Sequence, residues 1–154
     1  MNKPTVLFLC TGNSARSQMA EGLLRKSAGD YFEVVSAGTD PKGVNPLAIE
    51  AMQEIGISLE GHRSKSLGEF LGKITVSHVI VVCANAEESC PRVWPFALQR
   101  HFWPFDDPAA ATGTHAEKLA AFRQIRDQID ARIHNWLLEE AARQPSSRSN
   151  VVDQ

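Results

Sequence analysis

No stretch of this chain is apolar for long enough to cross a membrane. The run Val6–Leu9 follows a single basic residue, Lys3, and breaks at Cys10-Thr11-Gly12, far short of a signal-peptide core or a spanning helix. A surplus of one charge is also missing: 16 Lys+Arg stand against 18 Asp+Glu, a formal net charge of -2. That balance excludes a broad basic surface for nucleic acid or an anionic membrane, so any anion site must be local. Cysteine is scarce, with 3 residues that cannot all pair with one another. A cytoplasmic location is expected, and its reducing conditions argue against a structural disulfide framework and for reactive thiols. His62, His78, His101, His115 and His134 lack metal-ligand spacing, so no metal site is expected from them. There is no internal repeat.

What is present is the composition of one globular domain: 154 residues, 43% hydrophobic and 22% charged, with no room for a second core. Thr5–Leu9 is a short apolar β-type run ending in a glycine-containing turn, and Met19, Ala20, Leu23 and Leu24 then recur at helical spacing. Phe32–Ala37 reads as a second strand. Leu47–Ile55, opened by Asn45-Pro46 in cap and first-turn positions, reads as a second helix. Ser66–Leu71 suggests a short helix, and Val76–Val82 has the continuous apolar character of a strand buried on both faces. A short fourth strand is expected over Arg100–Trp103. A long amphipathic helix follows, carrying Leu119, Phe122, Ile125, Ile129, Ile133, Trp136 and Leu137 on one stripe. Trp94, Trp103 and Trp136 read as core or loop anchors. This alternation predicts an α/β fold of one domain over residues 1–143, a four-stranded parallel sheet flanked by helices, with ligands at the carboxyl ends of the strands. From Gln144 the chain is polar and aperiodic and reads as a disordered tail, 144–154.

The segment Cys10-Thr11-Gly12-Asn13-Ser14-Ala15-Arg16-Ser17 falls where the first strand hands over to the first helix, and there a loop of backbone N–H groups can cradle a tetrahedral anion. With Cys10 at its floor, the helix N-terminus, the amides and the Arg16 guanidinium all favour a negative sulfur, and Ser17 can donate to it. Arg16 offers a planar fork for two oxygens of the anion, which a lysine cannot reproduce. Gly12 permits close backbone approach, and Asn13 tolerates the left-handed conformation such a loop needs. A lone cysteine at a strand end is more often a core residue. Five residues between Cys10 and an Arg-Ser pair, in this context, favour catalysis instead.

This arrangement resembles the low-molecular-weight protein tyrosine phosphatase superfamily. The resemblance implies that Asp107, in Phe105-Asp106-Asp107-Pro108, is the general acid that protonates the leaving oxygen as Cys10 attacks. Without the loop motif, Asp106-Asp107-Pro108 would read as an ordinary turn. One branch is resembled more closely: the thioredoxin-coupled arsenate reductases. The likeness runs through Thr11–Ser14, Arg16–Gly22, Ser36-Ala37-Gly38, Gly43–Pro46, Cys83–Pro91 and Phe105–Ala109, nearly the whole chain apart from the tail. It implies a relay in which Cys10 attacks arsenate, Cys83 attacks the Cys10 sulfur and releases arsenite, and Cys90 attacks Cys83 to leave a Cys83–Cys90 disulfide for thioredoxin. No bound cofactor is implied and a monomer is expected. Glutaredoxin with glutathione, or mycothiol, stay open as other reductants.

A helical Cys83–Cys90 segment would hold the two Cα atoms about 10 Å apart, whereas a disulfide tolerates no more than about 7 Å. The implied pairing therefore requires that segment to unwind or fold back. The competing enzyme is a low-molecular-weight phosphatase acting on phosphomonoesters through a cysteinyl-phosphate, which needs neither Cys83 nor Cys90. Phosphotyrosine-directed members wall the substrate ring with aromatics after the Asp-Pro, but here Ala109-Ala110-Ala111 follow Pro108, which suits a small inorganic oxyanion. Two positions depart from the pattern. Ala15 replaces a cysteine with no part in the relay. Some relatives hold an alkali cation with an Asn, a Glu, a Ser and a carboxylate; Asn13, Glu21 and Ser36 match, but Lys65 stands at the carboxylate's position. Its ammonium would take the cation's place, or it is simply an exposed lysine.

Overall fold

The computed structural model describes residues 3–83 and 97–143. The order is β1 (Thr5–Cys10), α1 (Arg16–Ala28), β2 (Glu33–Gly38), α2 (Pro46–Gln53), a 3-10 turn at Leu67–Glu69, β3 (Val76–Cys83), β4 (Ala97–Phe105), a 3-10 turn at Pro108–Ala110, and α3 (His115–Ala142). The four strands form one parallel sheet in the order β2-β1-β3-β4. The chain steps from β1 outward to β2 and later returns to β3 on the other side of β1. The crevice beyond the carboxyl ends of β1 and β3 is therefore the switch point where such sheets bind ligands.

β1 lies inside the sheet, and Val6, Leu7, Phe8 and Leu9 are fully buried, which is why its sequence is apolar without alternation. β3 is buried over nearly its whole length for the same reason. α1 buries Met19, Ala20, Leu23 and Leu24. α2 is capped by Asn45, whose side chain accepts from the Leu47 amide (2.8 Å), with Pro46 at the first helical position. α3 opens on a capping box between Thr114 and Glu117. It buries the expected stripe from Leu119 to Trp136, while Leu137 is half-buried.

Two expectations are corrected. The fourth strand is longer than Arg100–Trp103 at both ends, starting at Ala97 and running through Pro104 to Phe105. The register passes from Val81↔Phe102 to Cys83↔Phe105, so one extra residue of β4 is accommodated in a bulge beside Pro104. On an edge strand the missing proline N–H breaks no ladder bond. The expected helix over Ser66–Leu71 is a single 3-10 turn, capped by the Ser66 hydroxyl and weakened by Gly68. The polar stretch from Gln144 and the segment 84–96, with Cys90 and Trp94, lie outside the described residues.

Away from the strand ends, His78 of β3 and His101 of β4 meet at 3.0 Å (Nδ1 to Nε2) and stack with Trp136 and Trp103. Burial pushes His101 down from 6.5 to about 4, with His78 opposing its charge as well, and burial also pushes His78 down. Both rings are therefore neutral in the folded protein at pH 7. Below pH 6.5 the unfolded chain takes up protons that the folded chain refuses, so stability falls as the pH drops from 6.5 towards 4. With allowance for solvent at His101 the loss is on the order of 2 kcal/mol. Thermal midpoints measured across that window should show it, and His101→Gln should flatten the slope.

Candidate active site

The carboxyl end of β1 delivers Cys10 into the turn that precedes α1, and the loop between them closes under strong local constraint. Asn13 sits at φ 46, in the left-handed region expected of it. Its buried amide is the loop's internal brace. Nδ2 donates to Ser17 Oγ (2.8 Å) and Ser36 Oγ (2.9 Å), while Oδ1 accepts from the Lys65 amide (2.7 Å) and Gln18 Nε2 (3.0 Å). Ser64 Oγ donates to the carbonyls of Gly12 and Asn13, each at 2.8 Å. These bonds occupy the outward carbonyls, leaving the loop's inner side to face a ligand.

Cys10 is buried and its sulfur lies 2.8 Å from Ser17 Oγ. That oxygen also accepts from Asn13, which holds it in place, and its hydroxyl is within reach to donate to a negative sulfur. No side chain caps α1 at Ala15, so the N-terminal amides of the helix are available to an anion. Arg16 is buried. Its Nη1 donates to the Phe105 carbonyl (3.0 Å), which holds the guanidinium at the pocket edge, and its Nη2 is 4.0 Å from Asp107 Oδ2. Asp107 caps the 3-10 turn through the Ala109 amide (2.9 Å), leaving its side chain 43% exposed at the mouth. Cys10, Thr11, Gly12, Ser14, Ala15, Arg16, Asp107 and Ala109, with Lys42, enclose a cavity of about 480 Å³. Among the described residues that line it there is no aromatic ring.

Cys83 ends β3 beside the same loop. The register Leu9↔Val81 brings Cys10 and Cys83 to the carboxyl ends of neighbouring strands, and Cys83 Sγ is 4.0 Å from Thr11 Oγ1. Cys83 is disulfide-bonded, whereas Cys10 is a free thiol. Of the expected relay residues, the structure thus brings Cys10 and Cys83 together; Cys90 lies outside the described residues.

Lys65 is not an exposed lysine. Its side chain is 12% exposed, with Nζ donating to the Arg63 carbonyl (2.8 Å) and lying 3.8 Å from Glu21 Oε1. Glu21 in turn accepts from Ser36, and Asn13 accepts from the Lys65 backbone amide, so Lys65 is tied into the three residues that matched a cation site. Burial lowers the Lys65 pKa from its ordinary value and Glu21 opposes that. Beside it, His62 bonds Gln18 Oε1 through Nδ1 (3.0 Å), and burial likewise pushes its pKa down.

Sequence reasoning missed several supports: Gln18, Ser64, His62, the Phe105 carbonyl and Gly38. Gly38 had a visible signal in Ser36-Ala37-Gly38. A β-carbon there would lie 2.5 Å from the Thr11 carbonyl oxygen and 2.8 Å from the Asn13 nitrogen, so β2 abuts the loop only because it ends in glycine. Gly38→Ala is expected to displace the loop. Its turnover should fall by about 100-fold or more, with a lower thermal midpoint, in a comparison of kinetics and melting curves.

A strand-to-helix oxyanion loop with a cysteine floor, on a 2-1-3-4 parallel sheet, defines the class. The chain belongs to the low molecular weight phosphotyrosine protein phosphatase family, whose model matches residues 5–147. Within that family its similarity is to arsenate reductases. It is 48% identical to the arsenate reductase of Halalkalibacterium halodurans over 137 residues, covering 88% of this chain and 96% of that one. Its fold is similar to a solved arsenate reductase in the phosphate binding state, with TM-score 0.74, 30% identity, and 88% and 98% of the two chains covered. The thioredoxin-dependent arsenate reductase of Corynebacterium glutamicum is also similar, with TM-score 0.67 and 27% identity over 92% of this chain and 64% of that one.

Proposed function

We propose that this protein reduces arsenate to arsenite through Cys10, Cys83 and Cys90, and that thioredoxin regenerates it. One observation carries the reading: a second cysteine, Cys83, stands at the rim of the loop that holds the Cys10 thiol, with its sulfur 4.0 Å from Thr11 Oγ1. A phosphatase has no use for it. Supporting this are the similarity to arsenate reductases and a cavity edge at Ala109 where, among the described residues, no ring stands for a phosphotyrosine.

In the first step the Cys10 thiolate attacks arsenic, bound by the loop amides and Arg16. The hydroxyl of hydrogen arsenate leaves as water with a proton from Asp107, the As–O bond breaking as the S–As bond of the thiol-arsenate adduct forms. The Cys83 thiolate then attacks the Cys10 sulfur. The S–As bond breaks, its electron pair stays with arsenic, and arsenite leaves as a Cys10–Cys83 disulfide forms. Cys90 attacks Cys83, freeing Cys10 as thiolate, and the Cys83–Cys90 disulfide is reduced by the thioredoxin dithiol. A disulfide at Cys83 with Cys10 free is the state in which such a cycle ends. No resident cofactor enters this scheme, which runs in a monomer in the cytoplasm. Phosphomonoester hydrolysis by Cys10, Arg16 and Asp107 is a side activity of the shared loop.

Arsenate-dependent NADPH oxidation should be sustained by thioredoxin and its reductase. Equal rates with glutaredoxin and glutathione would remove thioredoxin as the partner, and no rate with any reductant would remove the reductase reading. The Lys65 ammonium serves the loop as a built-in cation, so added potassium should leave the arsenate KM unchanged within about two-fold, as expected of a site already neutralised. Lys65→Asp should introduce a potassium requirement in the same assay.

A further inference from the structure

The stretch after β2 is laced to the loop by three backbone bonds: Asp40 N–H to the Thr11 carbonyl (2.9 Å), Lys42 N–H to Gly12 (3.0 Å) and Asn45 N–H to Ser14 (3.0 Å). The backbone of Lys42 is thereby fixed beside the cradle. Its stem crosses Gly12, where an added β-carbon would lie 3.2 Å from Lys42 Cγ. The ammonium beyond is exposed and paired with an equally exposed Asp40 carboxylate at 3.0 Å, a weak and exchangeable contact.

Among the described residues lining the pocket, Lys42 and Arg16 are the cations. Arg16 is buried, tied to the Phe105 carbonyl and faced by Asp107. A doubly charged anion entering the pocket thus finds the guanidinium already engaged at the edge, while the second lining cation, the Lys42 ammonium, is held outward by Asp40. A cation that can swing from Asp40 towards the pocket adds positive potential to the anion's approach.

We propose that Lys42 determines specificity for doubly charged inorganic oxyanions, its ammonium leaving Asp40 to steer the anion into the cradle and to pair with its outward oxygens. The assignment of arsenate as substrate rests on the function proposed above; the tetrahedral dianion that Lys42 reads is chemistry shared with inorganic phosphate.

The test compares Lys42→Met, Lys42→Arg and Asp40→Asn with the unaltered protein. Two readouts are taken: arsenate kcat and KM, and the phosphate dissociation constant from protection of Cys10 against alkylation. Each is measured at about 20 mM and about 200 mM salt, either side of strong screening. Lys42→Met is expected to raise the arsenate KM and the phosphate constant about five-fold at low salt, to flatten their salt dependence and to spare kcat, the pattern of lost steering and ground-state binding. Lys42→Arg should behave as the unaltered protein, and Asp40→Asn should tighten both. If the pair merely braces the rim, Lys42→Met and Asp40→Asn act in the same direction and lower kcat; that result overturns the proposal. So does an unchanged phosphate constant in Lys42→Met. Because phosphate binding needs only the cradle, its arm decides Lys42 even if arsenate is not turned over, and absent turnover with normal phosphate results would count against the arsenate reading alone.

Discussion

Cys10→Ser is expected to abolish arsenate reduction and phosphomonoester hydrolysis together, by on the order of 10⁴-fold or more in kcat. The reason lies in what surrounds the sulfur. Ser17 Oγ, positioned by Asn13, lies at hydrogen-bond distance from Cys10, and Arg16 and the loop amides add positive potential. These groups donate to a negative charge on the attacking atom; none of them takes a proton from a hydroxyl. A thiol ionises readily in such a setting, whereas a serine hydroxyl stays protonated and has no adjacent base. The cradle itself should survive, since Asn13, Ser17 and Gln18 hold one another without the sulfur. The variant should therefore still bind phosphate and melt at nearly the same temperature. Parallel measurement of both activities, phosphate binding and the thermal midpoint separates lost chemistry from lost structure. Substantial turnover of either substrate would remove Cys10 from the mechanism.

The second large effect is selective. Cys83→Ala should lose multiple turnover of arsenate by at least about 10³-fold while hydrolysis of a phosphomonoester stays within a few-fold of the unaltered protein. In the proposed scheme hydrolysis draws on Cys10, Arg16 and Asp107. Reduction needs in addition a thiol that can reach the Cys10 sulfur, and Cys83 is the one the sheet register places beside the loop. Its side chain is fully buried, so the substitution removes a sulfur from the core and costs roughly 1–2 kcal/mol of stability, too little to unfold an ordinary domain. A split between the two activities is the signature; equal losses in both would mean that Cys83 acts through folding.

The strands and the cradle were legible in the sequence for one reason: each is a local rule. A strand buried on both faces must be apolar at every position, as Val6–Leu9 and Val79–Val82 are. An anion loop between strand and helix fixes its own spacing, so Cys10, Gly12, Asn13, Arg16 and Ser17 announce themselves in eight residues. Partners supplied by packing were not legible. Gln18, Ser64 and His62 support the loop through contacts that only the fold creates, and their residue types are common on any surface. Lys65 was visible as a departure, but its depth was not. The length of β4 was not legible because most of this edge strand is exposed, so its ends carry no apolar pattern, and Pro104 is accommodated by a bulge that only the pairing shows.

The central claim is that three cysteines pass one oxidation along the chain, and Cys90→Ser tests it most directly. Reduced Cys90→Ser protein, mixed with excess arsenate and no external reductant, should release about one arsenite per enzyme and stop. Peptide mapping by mass spectrometry should then find Cys10 joined to Cys83, and phosphomonoester hydrolysis should return when that disulfide is reduced. Repeated turnover of Cys90→Ser with thioredoxin, or release of arsenite without a Cys10–Cys83 disulfide, would contradict the account.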